Sequence, residues 1–557
     1  MSFNVDAAPS VLTTTPANGA TNVPPTSAIS IDFSESVSFS TLAQPAPGNP
    51  SFDLICDGLP AGFTVTSVSP NDPVVLNPSD IEVAGRSCVL TVVAAQIADN
   101  DAIDPPNNMA ANFTATIGFG AIANDDAYTV TPHLTLNIPT TGVQGGGTAA
   151  NDILGAGAVT GFGFAPACTG TTAGAQLDAG AANGRLTLNA NGSFAYEPPA
   201  GLNALTRTFC YTVTGGDTAD IVFTVQNQAR VWFVDAAAAA SGVGTQARPF
   251  NALTGAGSFN AVAADGDGDT IYLEGAQTGG LTLRSGQRVI GGGSTLNIAT
   301  FSGVAPVAGS AFPALSGSAP VITCSGVTCL TLNSSGAANT HSLRGFTIGD
   351  SGAAGTDLAG TNFGTLAVSE LRLNGNGRAL NLENGSFGPG SGMLGISTTA
   401  SNNEGVRLEA TGGPLLLGGP VSISGTTGIG WSMNNIAAST TLAVTGFNVT
   451  KTSAGAAVSI TNATGLPTIS LSNVTLSASN GSALVCSRGH IRRQHAHRHR
   501  RQRDRCGQRG LRRRYDLQFG HLHQHRGRRR HQPRQCHRLA GDERRVDHPE
   551  RRQRDCL

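Results

Sequence analysis

Between Thr270 and Val485 the sequence returns, about every two dozen residues, to one three-part phrase, and this recurrence constrains the fold more than any other feature. Aligned starts are Gly405-Val-Arg-Leu, Gly428-Ile-Gly-Trp431, Ala456-Ala-Val-Ser-Ile460 and Ser482-Ala-Leu-Val485. Second runs follow at Pro414-Leu-Leu-Leu, Thr441-Leu-Ala-Val and Pro467-Thr-Ile-Ser-Leu471, and third runs at Val421-Ser-Ile-Ser, Phe447-Asn-Val-Thr and Val474-Thr-Leu-Ser. Each run is too short to bury its apolar residues alone. A chain that turns three corners and lands on itself solves this, because the next coil, roughly 4.8 Å away, supplies both hydrogen bonds and more core. Such a stack has two open ends, and each needs a cap against edge pairing.

The residues before the repeats look like one cap. Arg230 to Gly293 runs from the strand Val231 to Val234 through GTQARPFNAL and an Ala-rich segment into Asp269-Thr-Ile-Tyr-Leu-Glu274, and closes on Val289-Ile290 with three glycines. The phrases WFVDA, GTQARPFNAL and GDTIYLEG, in that order, resemble the amino-terminal cap of secreted right-handed parallel β-helix proteins of the pectate-lyase-like kind. The resemblance implies a solenoid beginning near Asp269, with the preceding residues forming a stalk.

Two β-sandwiches are expected in that stalk. Ala28-Ile-Ser-Ile-Asp-Phe33 alternates apolar and polar residues as a half-buried strand does, and further strands fit Ser51 to Cys56, Phe63 to Val68, Ser87 to Val93 and Asn112 to Ile117. The phrase TPANGATNVPPTSAISIDFSESV resembles the bacterial Ig-like domain of S-layer and other surface proteins, which implies a spacer or display role. Farther on, Asn124-Asp-Asp-Ala-Tyr128, Asn151-Asp-Ile-Leu154, Gly184-Arg-Leu-Thr-Leu188, Asn191-Gly-Ser-Phe-Ala-Tyr-Glu-Pro-Pro199 and Phe209-Cys-Tyr-Thr-Val213 succeed one another. Together they resemble the cadherin-like tandem domains of large bacterial adhesins. The expected fold is therefore all-β: an Ig-like sandwich over 1–118, a cadherin-like sandwich over 119–228, a right-handed parallel β-helix with its cap over 229–486, and a disordered tail over 487–557.

Calcium is the one cofactor these resemblances bring in, because acidic residues at the linkers of cadherin-like modules often hold it. Asp125 and Asp126 occupy that linker, Asp99 and Asp101 end the first sandwich, and Asp265, Asp267 and Asp269 form an Asp-Gly-Asp-Gly-Asp triplet. The triplet starts like an EF-hand loop, but Thr270 stands where the turn glycine belongs and Ala276 where the bidentate acid belongs. Turn formation by Asp and Gly is the competing reading for all of them.

Cysteines fall two to a domain: Cys56 with Cys88, Cys168 with Cys210, and Cys324 with Cys329. Even counts within separate domains suit disulfides formed outside the cytoplasm, with buried thiols as the alternative. No stretch of about eighteen uninterrupted apolar residues occurs, so no membrane-spanning helix is expected. Met1-Ser-Phe-Asn lacks a signal peptide's basic and apolar regions, so export by another signal, or a start farther upstream, is expected.

The chain changes character near Ser487. Residues 1–485 hold 29 Asp and Glu against 12 Lys and Arg, a net of −17, whereas 486–557 hold 23 Arg, no Lys and 7 acids, a net of +16. A nucleic-acid-binding tail would use Lys as well as Arg, and a metal site built on His495, His497 and His499 with His521, His523 and His525 leaves the arginines unexplained. A shifted reading frame explains both. Writing His490 to His495 as CAC ATT CGC CGT CAA CAC and reading one base later gives Thr-Phe-Ala-Val-Asn, which alternates like the coils before it. The tail is therefore expected to be out-of-frame translation without function, and no nucleic-acid partner is expected.

Catalysis finds few parts. Before the break there are two histidines, His133 and His341, which leaves little for a Ser-His-Asp arrangement. The solenoid region offers Asp350, Asp357, Glu370, Glu383, Glu404 and Glu409 with Arg344, Arg372, Arg378 and Arg407, none in a family motif. Glu370 with Arg372, and Arg407 with Glu409, are two apart and point the same way from a strand, which reads as surface ion pairing. The expected function is an extracellular or bacterial cell-surface structural and adhesive protein whose solenoid binds glycans or other surfaces. The alternative is a polysaccharide lyase or glycoside hydrolase. Three or more carboxylates with an Arg on one exposed face would favour the enzyme, and ladders of Thr, Ser and Asn the adhesin.

Overall fold

The computed structural model describes residues 7–487 except 45–47, 68–72, 101–106, 140–141, 146–151, 169, 263, 334–339 and 465–466, together with the backbone of 515–517. It is nearly all β, and it divides into one unit of residues 1–228 with 305–312 and a second of 229–304 with 313–557.

The first unit contains two sandwiches. In the first, the strands Val11–Thr15, Ile29–Phe33, Val74–Pro78 and Phe63–Val65 make one sheet, and Ala20–Val23, Phe113–Phe119, Ser87–Val92, Phe52–Cys56 and Leu59–Pro60 make the other. Alternation drives the packing: Ile29, Ile31 and Phe33 point inward from one sheet and meet Phe52, Leu54, Leu90 and Ile117 from the other in a single core. In the second sandwich, Asp126–Val130, Thr218–Val225, Leu205–Val213 and Val159–Phe164 pack on Leu136–Ile138, Phe194–Glu197, Arg185–Leu188 and Gln176–Asp178. Its centre is aromatic, with Tyr196 stacked on Phe223 at 3.9 Å and Phe209 edge-on to both. Residues 305–312, although they fall within the sequence of the solenoid, group with this unit: Val307 N–H donates to Thr131 Oγ1, and Asn137 N–H to Gly309 O.

The second unit is a β-solenoid of parallel strands. Successive coils place like positions in register, so one inward column reads Leu281, Leu330, Leu358, Leu380, Val406, Trp431, Val458, Leu484 and its neighbour Leu332, Gly360, Leu382, Leu408, Met433, Ile460. The opposite wall supplies Ile322, Ile348, Leu373, Ile396, Val421, Phe447 and Val474. These columns form one continuous buried cluster, as nearest-neighbour stacking requires. Long strands such as Thr356–Ser369 turn a corner without ending, pairing Thr328–Asn333 through their first half and Thr340–Arg344 through their second.

That corner has a local chemical cause. Asn362, Asn384, Ala410, Asn435 and Asn462 stack one above another, each following a paired residue of the column Thr361, Glu383, Glu409, Asn434 and Thr461, and all five have φ between 48° and 54°. Asn enters the left-handed region at little cost because its short amide bonds to local backbone, whereas a residue such as Ala gains nothing there.

At the amino-terminal end, Val231–Asp235 pairs with Thr270–Glu274, which pairs with Arg288–Gly291. Trp232, Phe250 and Phe259 fill the first coil from above. At the other end, Leu484–Ser487 continues the stack on Val458–Thr461, and Tyr515–Leu517 lies antiparallel to Thr468–Asn480. The expectation of a disordered, out-of-frame tail over 487–557 otherwise lies outside the described residues, as do the histidine clusters.

Candidate functional site

Three groups of charged side chains stand out, and all three contain residues singled out from the sequence. The first lies where the chain passes from one sandwich to the next. Here backbones touch: Gly85 N–H donates to Gly120 O, Ala156 N–H to Gly85 O, and a Cβ on Gly85 would fall 2.1 Å from the Leu154 carbonyl oxygen. Beside this contact Asp126 opens its strand with its side chain buried, and Asp152 is buried opposite. The Tyr211 hydroxyl lies 3.0 Å from Asp126 Oδ2, 2.7 Å from Asp152 Oδ2 and 3.1 Å from Asn124 O.

One hydroxyl carries one hydrogen and faces three acceptors, so the centre lacks positive charge. Asp126 Oδ1, also buried, has no partner. Burial, reinforced by the Asp152 carboxylate, pushes Asp126 up to about 7, and burial raises Asp152 although the Tyr211 and Asn124 bonds oppose it. Asp217 adds negative charge near Asp152, and its Oδ2 accepts from Ala123 N–H. Asp125 does not join the centre; its Oδ1 accepts from Asp220 N–H at the surface. Asp99 is buried at the end of the first sandwich, and Asp101 lies outside the described residues.

The acidic triplet of the solenoid cap is used differently. Asp269 accepts from Arg230 N–H and from its guanidinium, from Trp232 Nε1 at 2.8 Å and from Gly266 N–H at 2.9 Å. Arg230 in turn lies over the Trp232 ring, its Cζ 5.6 Å from the centroid. Asp265 accepts from Arg284 Nε at 2.9 Å and Gln287 Nε2 at 3.0 Å, and Asp267 is exposed. The two buried members thus fasten the cap to the first coil through groups that already supply positive charge or hydrogen bonds. Among the described residues, no three His, Cys, Asp or Glu side chains are placed to enclose a metal ion.

The third group lies on the solenoid's outward face. Glu383 and Glu409 are register partners on adjacent strands, and such like-charge neighbours repel. Arg407, one column away, answers both: its guanidinium lies 3.2 Å from Glu383 and 3.7 Å from Glu409, and donates to Asn381 Oδ1 at 3.1 Å. Asn434 Nδ2 bridges both Glu409 oxygens at 2.7 and 2.9 Å, and Thr461 donates to Asn434 Oδ1. Next to them Arg378 binds Glu404 at 2.6 Å, and burial together with the positive charge of Arg407 lowers Arg378 against the pull of Glu404. Glu370 pairs with Arg344 of the preceding coil rather than with Arg372, and accepts also from Thr295 N–H and hydroxyl. Those bonds hold the Glu370 carboxyl below its ordinary value despite partial burial.

Two buried ionisable groups fasten another corner. Burial lifts Asp357 to about 8, and Ser351 donates to it at 2.7 Å. Lys451, fully buried and lowered by desolvation, donates to Thr426 O, Thr427 O, Gly428 O and Ser453 Oγ. His341 is likewise buried and lowered, with Nδ1 3.2 Å from Gln287 O. His133 Nε2 accepts from Gly201 N–H. All three cysteine pairs read from the sequence form disulfides: Cys56–Cys88, Cys168–Cys210 and Cys324–Cys329.

Residues 5–132 match the family described as bacterial Ig-like domain, a span that takes in the first sandwich and the opening strand of the second. Nothing among curated proteins matches the chain. No helix among the described residues is long and apolar enough to cross a membrane.

Proposed function

We propose that this is a bacterial surface protein in which β-sandwich modules present a β-solenoid that adheres to glycans. The observation that carries the reading is the outward face beside the Asn corner, where Asn333, Thr361, Glu383, Glu409, Asn434 and Thr461 follow one another in register along the stack. Such a column repeats polar donors and acceptors at the coil spacing, and the Ig-like family fits a display role. Retention of the full chain on immobilised neutral, amino and uronate polysaccharides tests it; no retention on any of the three removes the proposal.

A second reading rests on the same face, where Glu383 and Glu409 flank Arg407, one carboxylate short of the three set as the condition for a lyase or hydrolase. Each carboxylate is already held by a guanidinium, which favours the binding role. Release of new reducing ends or unsaturated products from those polysaccharides would instead establish the enzyme.

We further propose calcium at the sandwich joint, held by Asp126, Asp152 and the Asn124 carbonyl. The support is the unpartnered Asp126 Oδ1 and the three acceptors around one Tyr211 hydrogen. A hard cation bound there would supply the missing charge to oxygen ligands. Calcium titration followed by hydrogen exchange at Leu205–Val213 tests it.

A further inference from the structure

We infer that this outward face is a track for a neutral, hydroxyl-rich polysaccharide lying along the stacking direction, with one rung of contacts per coil. The inference rests on the glycan-adhesion reading and narrows it to one face, one direction and one chemical class.

The direction follows from register. Two outward columns run side by side, Thr331, Ala359, Asn381, Arg407 and Ser432 beside Asn333, Thr361, Glu383, Glu409 and Asn434. Parallel pairing repeats them at roughly 4.8 Å, so a polymer along the axis meets equivalent positions again and again, while one across it meets a single coil.

The chemical class follows from charge. Arg407 is shared between Glu383 and Glu409, so the three charges of the track leave a net of −1 with no guanidinium to spare. A uronate chain would face two glutamates with their counter-ion already engaged. A polycation would have to displace Arg407 from both. A sugar hydroxyl donates and accepts at once, so it bonds to the glutamate oxygens and to the guanidinium without separating them.

The strength of each rung follows from what the face lacks. Among the described residues of the solenoid, the large exposed apolar side chains are Val327, Leu394 and Leu416, none of them aromatic, and both tryptophans are buried. Among the described residues this face offers no ring for a sugar to stack on, so contact per coil is polar and modest. Affinity must then accumulate over coils, and long chains bind far better than short ones.

The test uses the full chain in affinity electrophoresis with hydroxyethyl cellulose and laminarin as neutral probes, polygalacturonate as polyanion and chitosan as polycation. A neutral oligosaccharide length series accompanies them. Expected are retention by a neutral polymer, insensitivity to salt, and affinity that rises by about tenfold or more from trisaccharide to polymer. Arg407→Ala, and independently Thr361→Lys at an exposed position that leaves the buried columns intact, should each weaken retention by about tenfold. Asn448→Ala, exposed on the other sheet, should leave it unchanged. Binding only to polygalacturonate or only to chitosan, equal affinity for trisaccharide and polymer, or indifference to both track variants overturns the inference. If no glycan of any class binds, the adhesion reading falls with it; if glycans bind and the track variants do not matter, only the track falls.

Discussion

Raising the pH from 5 to 8 should loosen the second sandwich around Tyr211, and calcium should tighten it again. The carboxyl of Asp126 is buried beside Asp152 and lies near 7 instead of its ordinary 3.8. In the unfolded chain it ionises near the ordinary value, so between about pH 4 and pH 7 the folded state alone holds the proton. Stability is therefore highest below that window, falls by about 1.4 kcal/mol per pH unit through it, and levels off above it. The full difference of about three units corresponds to about 4 kcal/mol, or about a thousandfold in the local opening constant. Native-state hydrogen exchange over Leu205–Val213 and Thr218–Val225, corrected for the intrinsic rate, reads this opening directly. Calcium at about 100 times its dissociation constant should restore about 2.7 kcal/mol at pH 8. Asp126→Asn should abolish the calcium effect and cut the pH slope to what the buried Asp152 alone contributes. Protection that stays flat or rises from pH 5 to 8, or an Asn variant that keeps the full slope, would refute the account.

Three further substitutions probe the solenoid. Lys451→Ala strips the donor from the Thr426, Thr427 and Gly428 carbonyls and should cost the last coils about 3 kcal/mol, read as faster exchange in Val458–Thr461. Asp269→Ala removes the buried carboxylate that the guanidinium of Arg230 and Nε1 of Trp232 both donate to; a loss of about 3–5 kcal/mol in the cap should appear as quenching changes at Trp232 at lower urea. Ala410→Asn replaces the one corner residue whose side chain cannot support a φ of 48° and should stabilise the stack by about 1 kcal/mol in urea unfolding.

The stacking was legible because every coil repeats it: the apolar runs at Val421, Phe447 and Val474 are register partners in space as they are aligned phrases in sequence. The disulfides were legible for a similar reason, since each pair falls within one module. What escaped was the partner a coil or a strand away. Glu370 reads locally as the mate of Arg372, yet its guanidinium comes from Arg344, 26 residues earlier, because the neighbour across the strands is nearer than the neighbour along one. Asp152 escaped likewise: it meets Tyr211 from 59 residues away, and Asp126 meets the same hydroxyl from 85. The Asn corners left a visible signal, an Asn just after four of the five inward runs, which apolar periodicity alone ignores. In the Asp265–Asp269 triplet the residue types spoke for calcium, while the arginines that answer them sit just ahead of the preceding strand and in the turn after.

Charge is apportioned between the parts in a way that bears on the proposed roles. Residues 1–228 hold 18 Asp and Glu against three Arg, a net of −15, whereas 229–486 hold 11 acids against nine Lys and Arg, a net of −2. In the solenoid the charges that do occur are largely matched across coils, as Arg344 with Glu370, Arg378 with Glu404 and Arg407 with two glutamates show. Matching of this kind fastens one coil to the next while leaving little field outside, and it suits a face that meets an uncharged polymer. The sandwiches do the opposite. Their unbalanced acids give a negative field that turns away polyanions, and where two of those acids are buried together at Tyr211 the imbalance becomes a demand for a proton or a cation. Neutralising the sandwich surface by substituting Asp and Glu with Asn and Gln away from Tyr211 should therefore raise polygalacturonate binding to the whole chain and leave neutral-polymer retention as it was. Loss of neutral-polymer retention in that variant would mean that the sandwiches, and not the solenoid face, hold the glycan.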